Sequence, residues 1–137
     1  YGMVLPNFAS QALAGEPITV FGNGKQARCF GHVQDAVESI LRLLATPAAV
    51  GQVFNIGNDE EVTIYGLAEQ VRAAAGSRSE IVLVPYSEAY PEGFEDMHRR
   101  VPDVRKLERV IGFRPRTPLT TIIEHVVADH RARLTAR

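Results

Sequence analysis

The sequence predicts an α/β fold, and three observations predict it. Apolar residues recur at helical spacing in several separate stretches, short β-prone runs stand between them, and glycine or proline closes nearly every stretch. The first stripe is Leu5, Phe8, Ala9, Ala12 and Leu13, one face of a helix that Gly15 ends and Pro17 keeps from continuing. Ile18 to Phe21 is β-prone and leads into FGNGKQARCFGHVQD, the stretch around which the chain is arranged. Gly22 and Gly24 bracket Asn23, a composition that supports positive φ and a tight, hairpin-like reversal between Val20 and Arg28. The turn brings Lys25 and Arg28 to its exit. An arginine there can offer a planar fork to a phosphate, and the same two residues also suit a plain turn with two solvated cations.

From Val33 the residues Val33, Ala36, Val37, Ile40, Leu41 and Leu44 repeat at helical spacing until Thr46 and Pro47. Asp35 falls in the first turn, where a carboxylate favours the positive end of the helix dipole. Gln52 to Ile56 reads as a short buried strand stopped by Gly57, and Asn55 and Asn58 beside it are ordinary turn formers. Thr63 is an N-cap for the stripe Ile64, Leu67, Ala68, Val71 and Ala74, which Gly76 ends; with Gly66 at the third position only half a capping box is present. EIVLV, from Glu80 to Val84, is the best single strand. Residues 85–101 read as a polar loop carrying Tyr86, Tyr90 and Phe94, long enough to carry function. Asp103 caps a short helix through Ile111, and Thr117 and Pro118 open a last one with Leu119, Ile122, Ile123, Val126 and Val127 on one stripe.

Composition narrows the function. The 137 residues suffice for one modest domain, and 45% hydrophobic with 23% charged residues is a globular balance. A net charge of −1 supplies no broad field for nucleic acid or an anionic membrane, so any anion site must be local. The single cysteine, Cys29, excludes an internal disulfide and a multi-cysteine zinc site, and its apolar setting favours a buried, inert thiol. No run is long enough for a membrane helix and no signal segment opens the chain, which fits a cytoplasmic protein. Tyr1 is not an initiator and a helix begins almost at once, as in the middle of a longer protein.

Complete reaction centres are missing. GNGKQA lacks a third glycine and leads into a strand, so it is no dinucleotide fingerprint. There is no P-loop and no nucleophile elbow, and the four histidines lack metal-ligand spacing.

Three motifs in order, PNFASQALAGEPITVFGNGKQARCFGHVQDAVESILRLL, VFNIGNDEEVTIYGLAEQV and RRVPDVRKLERVIGFRPRTPL, resemble the C-terminal half of the extended short-chain dehydrogenases/reductases that act on nucleotide sugars. That family includes NAD-dependent epimerases, dehydratases and decarboxylases. The resemblance covers essentially the whole chain, residues 1–137, as the nucleotide-sugar-binding portion, with residues 33–57 belonging to the edge of the Rossmann-type sheet. It implies that the NAD fingerprint and the catalytic tyrosine and lysine lie in an N-terminal half outside this sequence, and that the chain alone is inert.

Residue by residue, the family's GxGxxxRxF pattern puts Arg28, followed by Phe30, beside the nucleotide diphosphate. Lys25 matches a lysine of a UDP-glucuronate decarboxylase in the family. A GYxD stretch with an arginine ahead of a lysine-proline pair is matched by Gly93, Phe94, Asp96 and Arg100 before Val101 and Pro102. Phe94 would then stack on the base, Asp96 accept from ribose hydroxyls and Arg100 contact phosphate or sugar, while Asn7 matches a position near the nucleotide. The arginine that many epimerases carry before the ribose-binding aspartate is absent, since Glu92 and Gly93 stand there. The implied partners are a nucleotide sugar, with UDP as its nucleotide, the N-terminal half, and further copies in a homo-oligomer such as a dimer. A decarboxylase portion and a non-catalytic nucleotide-binding or interaction module are the alternatives.

Overall fold

The computed structural model describes residues 3–89 and 97–136, with the side chain of Ala89 outside the description. In chain order the elements are α1 (Val4–Ala14), β1 (Ile18–Phe21), β2 (Ala27–Cys29), α2 (Val33–Leu44), a 3-10 turn (Pro47–Ala49), β3 (Glu61–Thr63), α3 (Ile64–Ala75), β4 (Ile81–Val84), α4 (Tyr86–Ala89), α5 (Arg105–Ile111) and α6 (Leu119–Thr135). They form two compact units. One comprises Tyr1–Ala27, Val62–Arg99 and Ile123–Arg137; the other comprises Arg28–Glu61 and Arg100–Ile122.

The first unit is built on α1 and α3, which pack on each other and on β1. Leu5, Phe8, Ala9 and Ala12 of α1 are buried, as are Ile64, Leu67, Ala68 and Val71 of α3 and Ile18 and Val20 of β1. Each fully buried branched side chain contributes on the order of 1.5–3 kcal/mol. Helix ends follow the residues read from the sequence. Gly15 and Gly76 close α1 and α3 at φ 71° and 64°, and the Gly66 amide donates to Thr63 Oγ1 at 3.0 Å.

The glycine turn departs from a hairpin. Gly22 and Gly24 do adopt φ of 72° and 70°, yet β1 pairs in parallel with β4, Ile18 opposite Ile81 through Phe21 opposite Val84, while β2 pairs with β3. What redirects the chain is Gln26. Its buried amide donates to the Phe21 carbonyl at 2.9 Å and to the Tyr86 hydroxyl at 3.0 Å, and the Gly22 amide donates to the Val84 carbonyl. Gly22 has no room for a side chain, because a Cβ would stand 2.4 Å from the Tyr86 ring. Tyr86 itself lies in α4, a short helix that opens what the sequence presented as a loop.

In the second unit α2 packs on α5, and Val104, Leu107 and Pro115 are buried. Residues 52–56 form no strand, in contrast to the reading of Gln52 to Ile56. A strand is defined by its ladder, and among the described residues no neighbouring strand pairs with this run. The outward face of α2 is apolar: Val33, Val37, Ile40, Leu41 and Leu44 are 48–79% exposed.

Leu67→Ala is expected to cost about 2–5 kcal/mol by cavity formation, and Thr63→Ala about 1 kcal/mol by loss of the cap. Urea unfolding followed by circular dichroism measures both, and equal effects would contradict this account of α3.

Candidate functional site

An open cavity of about 610 Å³ lies within the second unit. One wall is the end of β2 and the first turn of α2, with Cys29, His32 and Asp35. A second is the loop from Asn55 to Asn58, and a third is Arg100 to Pro102 with Pro115. Each wall is held by an identifiable bond. His32 caps α2, its Nδ1 accepting from the Gln34 amide at 3.1 Å. Asp35 accepts from the Thr117 amide at 3.0 Å, so its carboxylate serves a segment far along the chain as well as its own helix dipole. Asn58 is buried, donates to the Thr117 carbonyl at 2.9 Å and accepts from the Glu60 amide at 2.8 Å. Glu60 in turn accepts from the Leu119 amide at 3.0 Å, at the start of α6. Asn55 donates to the Asp103 carbonyl at 3.3 Å.

Arg100 is exposed on the cavity wall and makes no ion pair among the described residues. Other arginines of this unit are committed. Arg42 meets Glu38, Arg105 meets Asp103, Arg114 meets Asp59 and Glu108, and Arg116 meets Glu108. Arg105, through its guanidinium and its own amide, holds the Asp103 carboxyl below the usual carboxylate range.

The sequence-derived site residues are distributed as follows. Arg100 lines the cavity; Arg28 is half-buried and directly precedes Cys29, which lines it. Asn7, exposed on α1, and Lys25, exposed in the glycine turn, belong to the first unit. Phe94 and Asp96 lie outside the described residues, with Tyr90, Glu92 and Gly93. Cys29 is half-buried on the cavity wall, where the sequence suggested burial. Asn55, Gly57 and Asn58 were legible only as turn formers, yet they make one wall of the cavity. Among the described residues no cluster of metal-ligating side chains occurs, and no helix is long and apolar enough to cross a membrane.

Among the described residues the glycine turn passes into β2 and not into a helix N-terminus, so it does not fit the pyrophosphate of NAD.

Asp103→Asn is expected to lower stability at neutral pH. A carboxyl whose folded pKa is depressed stabilises above its unfolded value, near 3.9, and loses that effect as pH falls through the folded value. The two proteins should therefore converge in acid, as thermal melts across pH will show; a constant difference down to the lowest pH would contradict the Arg105 account.

The profile of the NAD dependent epimerase/dehydratase family matches residues 1–57. UDP-N-acetyl-alpha-D-glucosaminuronate decarboxylase of Bacillus cytotoxicus is 40% identical over 115 residues, covering 84% of this chain and 36% of that protein. UDP-glucuronic acid decarboxylase 4 of Arabidopsis thaliana is 38% identical over 133 residues, covering 97% and 28%. The chain thus spans about a third of the length of these relatives. The crystal structure of UDP-glucose 4-epimerase with UDP-glucose from Thermotoga maritima superposes with a TM-score of 0.85 at 26% identity, over 98% of this chain and 41% of that one. The dTDP-glucose 4,6-dehydratase of Bacillus anthracis, solved in complex with NAD, shares the fold at TM-score 0.81 and 22% identity, over 95% and 39%. The chain belongs to the NAD-dependent epimerase/dehydratase family and carries a C-terminal portion of its extended short-chain dehydrogenase/reductase fold.

Proposed function

We propose that this chain is the nucleotide-sugar-binding portion of a cytoplasmic NAD-dependent enzyme acting on a UDP-sugar. The observation that carries the reading is Arg100, a guanidinium without an ion pair among the described residues, on a cavity whose facing wall is the first turn of α2. A guanidinium fork favours an anionic ligand, and a nucleotide diphosphate supplies two adjacent anionic groups. In this reading Asn7, Lys25, Arg28, Phe94, Asp96 and Arg100 bind the nucleotide sugar, with Phe94 on the base and Asp96 on the ribose. Binding energy from the remote nucleotide then orients the sugar toward NAD held by the rest of the enzyme. Residues 33–57 form the edge of that enzyme's Rossmann-type sheet.

The names of the two relatives reported above favour a UDP-uronate decarboxylase over an epimerase. A decarboxylase of this kind would remove the sugar's carboxyl group as carbon dioxide, with the redox chemistry supplied by NAD held in the rest of the enzyme. This chain by itself is expected to release no carbon dioxide from UDP-glucuronate with NAD.

UDP titrated calorimetrically onto the 137-residue chain should bind. Arg28→Ala and Arg100→Ala should each weaken binding by roughly 10- to 150-fold, as loss of a charge-assisted hydrogen bond of about 1.5–3 kcal/mol requires. Affinity unchanged in both variants would leave an interaction module as the better reading.

The exposed stripe of α2 belongs to the same proposal. In a protein of the relatives' length it is the seat of the NAD-binding half, and in the isolated chain it drives self-association. Light scattering should give a mass above 15.1 kDa, lowered to the monomer by Leu41→Glu with Leu44→Glu. A monomeric parent chain would refute this role of the stripe.

A further inference from the structure

We propose that Gly57 and Asn55 are positioning residues for Arg100, an inference that rests on the nucleotide-site reading above. The 100–103 segment lies in no helix or strand, so its place depends on what it leans against. Two contacts come from one loop. The Asn55 side-chain amide donates to the Asp103 carbonyl at 3.3 Å, and Gly57 lies so close to Pro102 that a Cβ on it would stand 3.2 Å from the proline Cγ. That is tighter than ordinary van der Waals contact, so Pro102 must give by a few tenths of an ångström, by shifting its segment or by re-puckering its ring.

The loop itself is anchored. Asn58, adjacent to Gly57, is 5% exposed and bonded through its side chain at both ends, to the Thr117 carbonyl and from the Glu60 amide. A methyl group at position 57 therefore displaces Pro102 more readily than it displaces the loop. Arg100 stands two residues before Pro102, and its guanidinium moves with the segment. A forked donor tolerates little displacement before one of its two bonds to a phosphate is lost. Gly57 is accordingly glycine for the sake of its neighbour: its own φ is not positive, so backbone strain does not explain it.

The test is a double-mutant cycle on the full chain with UDP as the probe, read by calorimetry alongside thermal melts. Gly57→Ala should weaken UDP about fivefold, the loss of part of one charge-assisted bond, with a melting midpoint within about 2 °C of the parent. In an Arg100→Ala background the same substitution should cost nothing further, because it acts through the missing guanidinium. Asn55→Ala, which removes a bond at an exposed position without crowding anything, should weaken UDP in the same direction and provides the test should Gly57→Ala fold poorly.

Gly57→Ala and Asn55→Ala binding UDP as the parent does, while Arg100→Ala loses affinity, would overturn the positioning role and leave the site reading standing. Equal losses from Gly57→Ala with and without Arg100 would also overturn it, by showing that Gly57 acts elsewhere. Unchanged binding in Arg100→Ala would overturn the site reading and this inference together.

Discussion

The peptide unit at Thr117 is where the second unit is tied together. Its amide donates to Asp35 at 3.0 Å and its carbonyl accepts from Asn58 at 2.9 Å, so two side chains from the 28–61 stretch hold one residue of the 100–122 stretch. A buried amide such as that of Asn58 costs several kcal/mol if left without partners, so the arrangement is nearly all-or-none. Glu60 extends it by accepting from the Leu119 amide, one of the unpaired donors at the start of α6. The cavity exists because these bonds keep two distant stretches of chain apart by a fixed amount.

Charge is distributed around that frame in two ways. Arg114 bridges Asp59 and Glu108, Arg116 shares Glu108, and Arg42 lies 4.8 Å over the Phe113 ring as well as against Glu38. These are surface arrangements and individually contribute little to stability. Arg100 is left without an ion pair among the described residues, on the wall of the cavity that Asp35 also lines.

The parts of the fold legible in the sequence are those decided locally. Helical spacing and Pro47 place α2 at Val33–Leu44, and Thr63 announces its own capping bond. What was not legible depends on partners far along the chain. Asn55 and Asn58 have the composition of a turn, but their side chains reach residues 48 and 59 positions away, and nothing in the neighbouring sequence announces this. Asp35 has a sufficient local reason in its helix dipole, which conceals the bond to Thr117. The glycine turn was right in φ and wrong in pairing, since a β-prone run does not declare which strand will occupy its edge. Gln52 to Ile56 has the residues of a strand without a ladder among the described residues. Of the candidate site residues, Arg28 and Arg100 were named through a motif, whereas the 55–58 loop that lines the same cavity as Arg100 offered only the composition of a turn.

One helix joins the two surfaces of the second unit. The first turn of α2 lines the cavity, and its stripe from Val33 to Leu44 faces outward. The helix that carries the stripe is held within the unit by α5 and the 3-10 turn, both of which it contacts, and by the Asp35–Thr117 bond. Covering the stripe restricts the helix as a rigid body, and the cavity wall with it. A ligand that contacts that wall then has less motion to quench. Linkage requires the converse to the same degree: a ligand in the cavity that stills α2 makes the stripe easier to cover. Because one element serves both purposes, the proposed anion site would be coupled to the apolar stripe through α2.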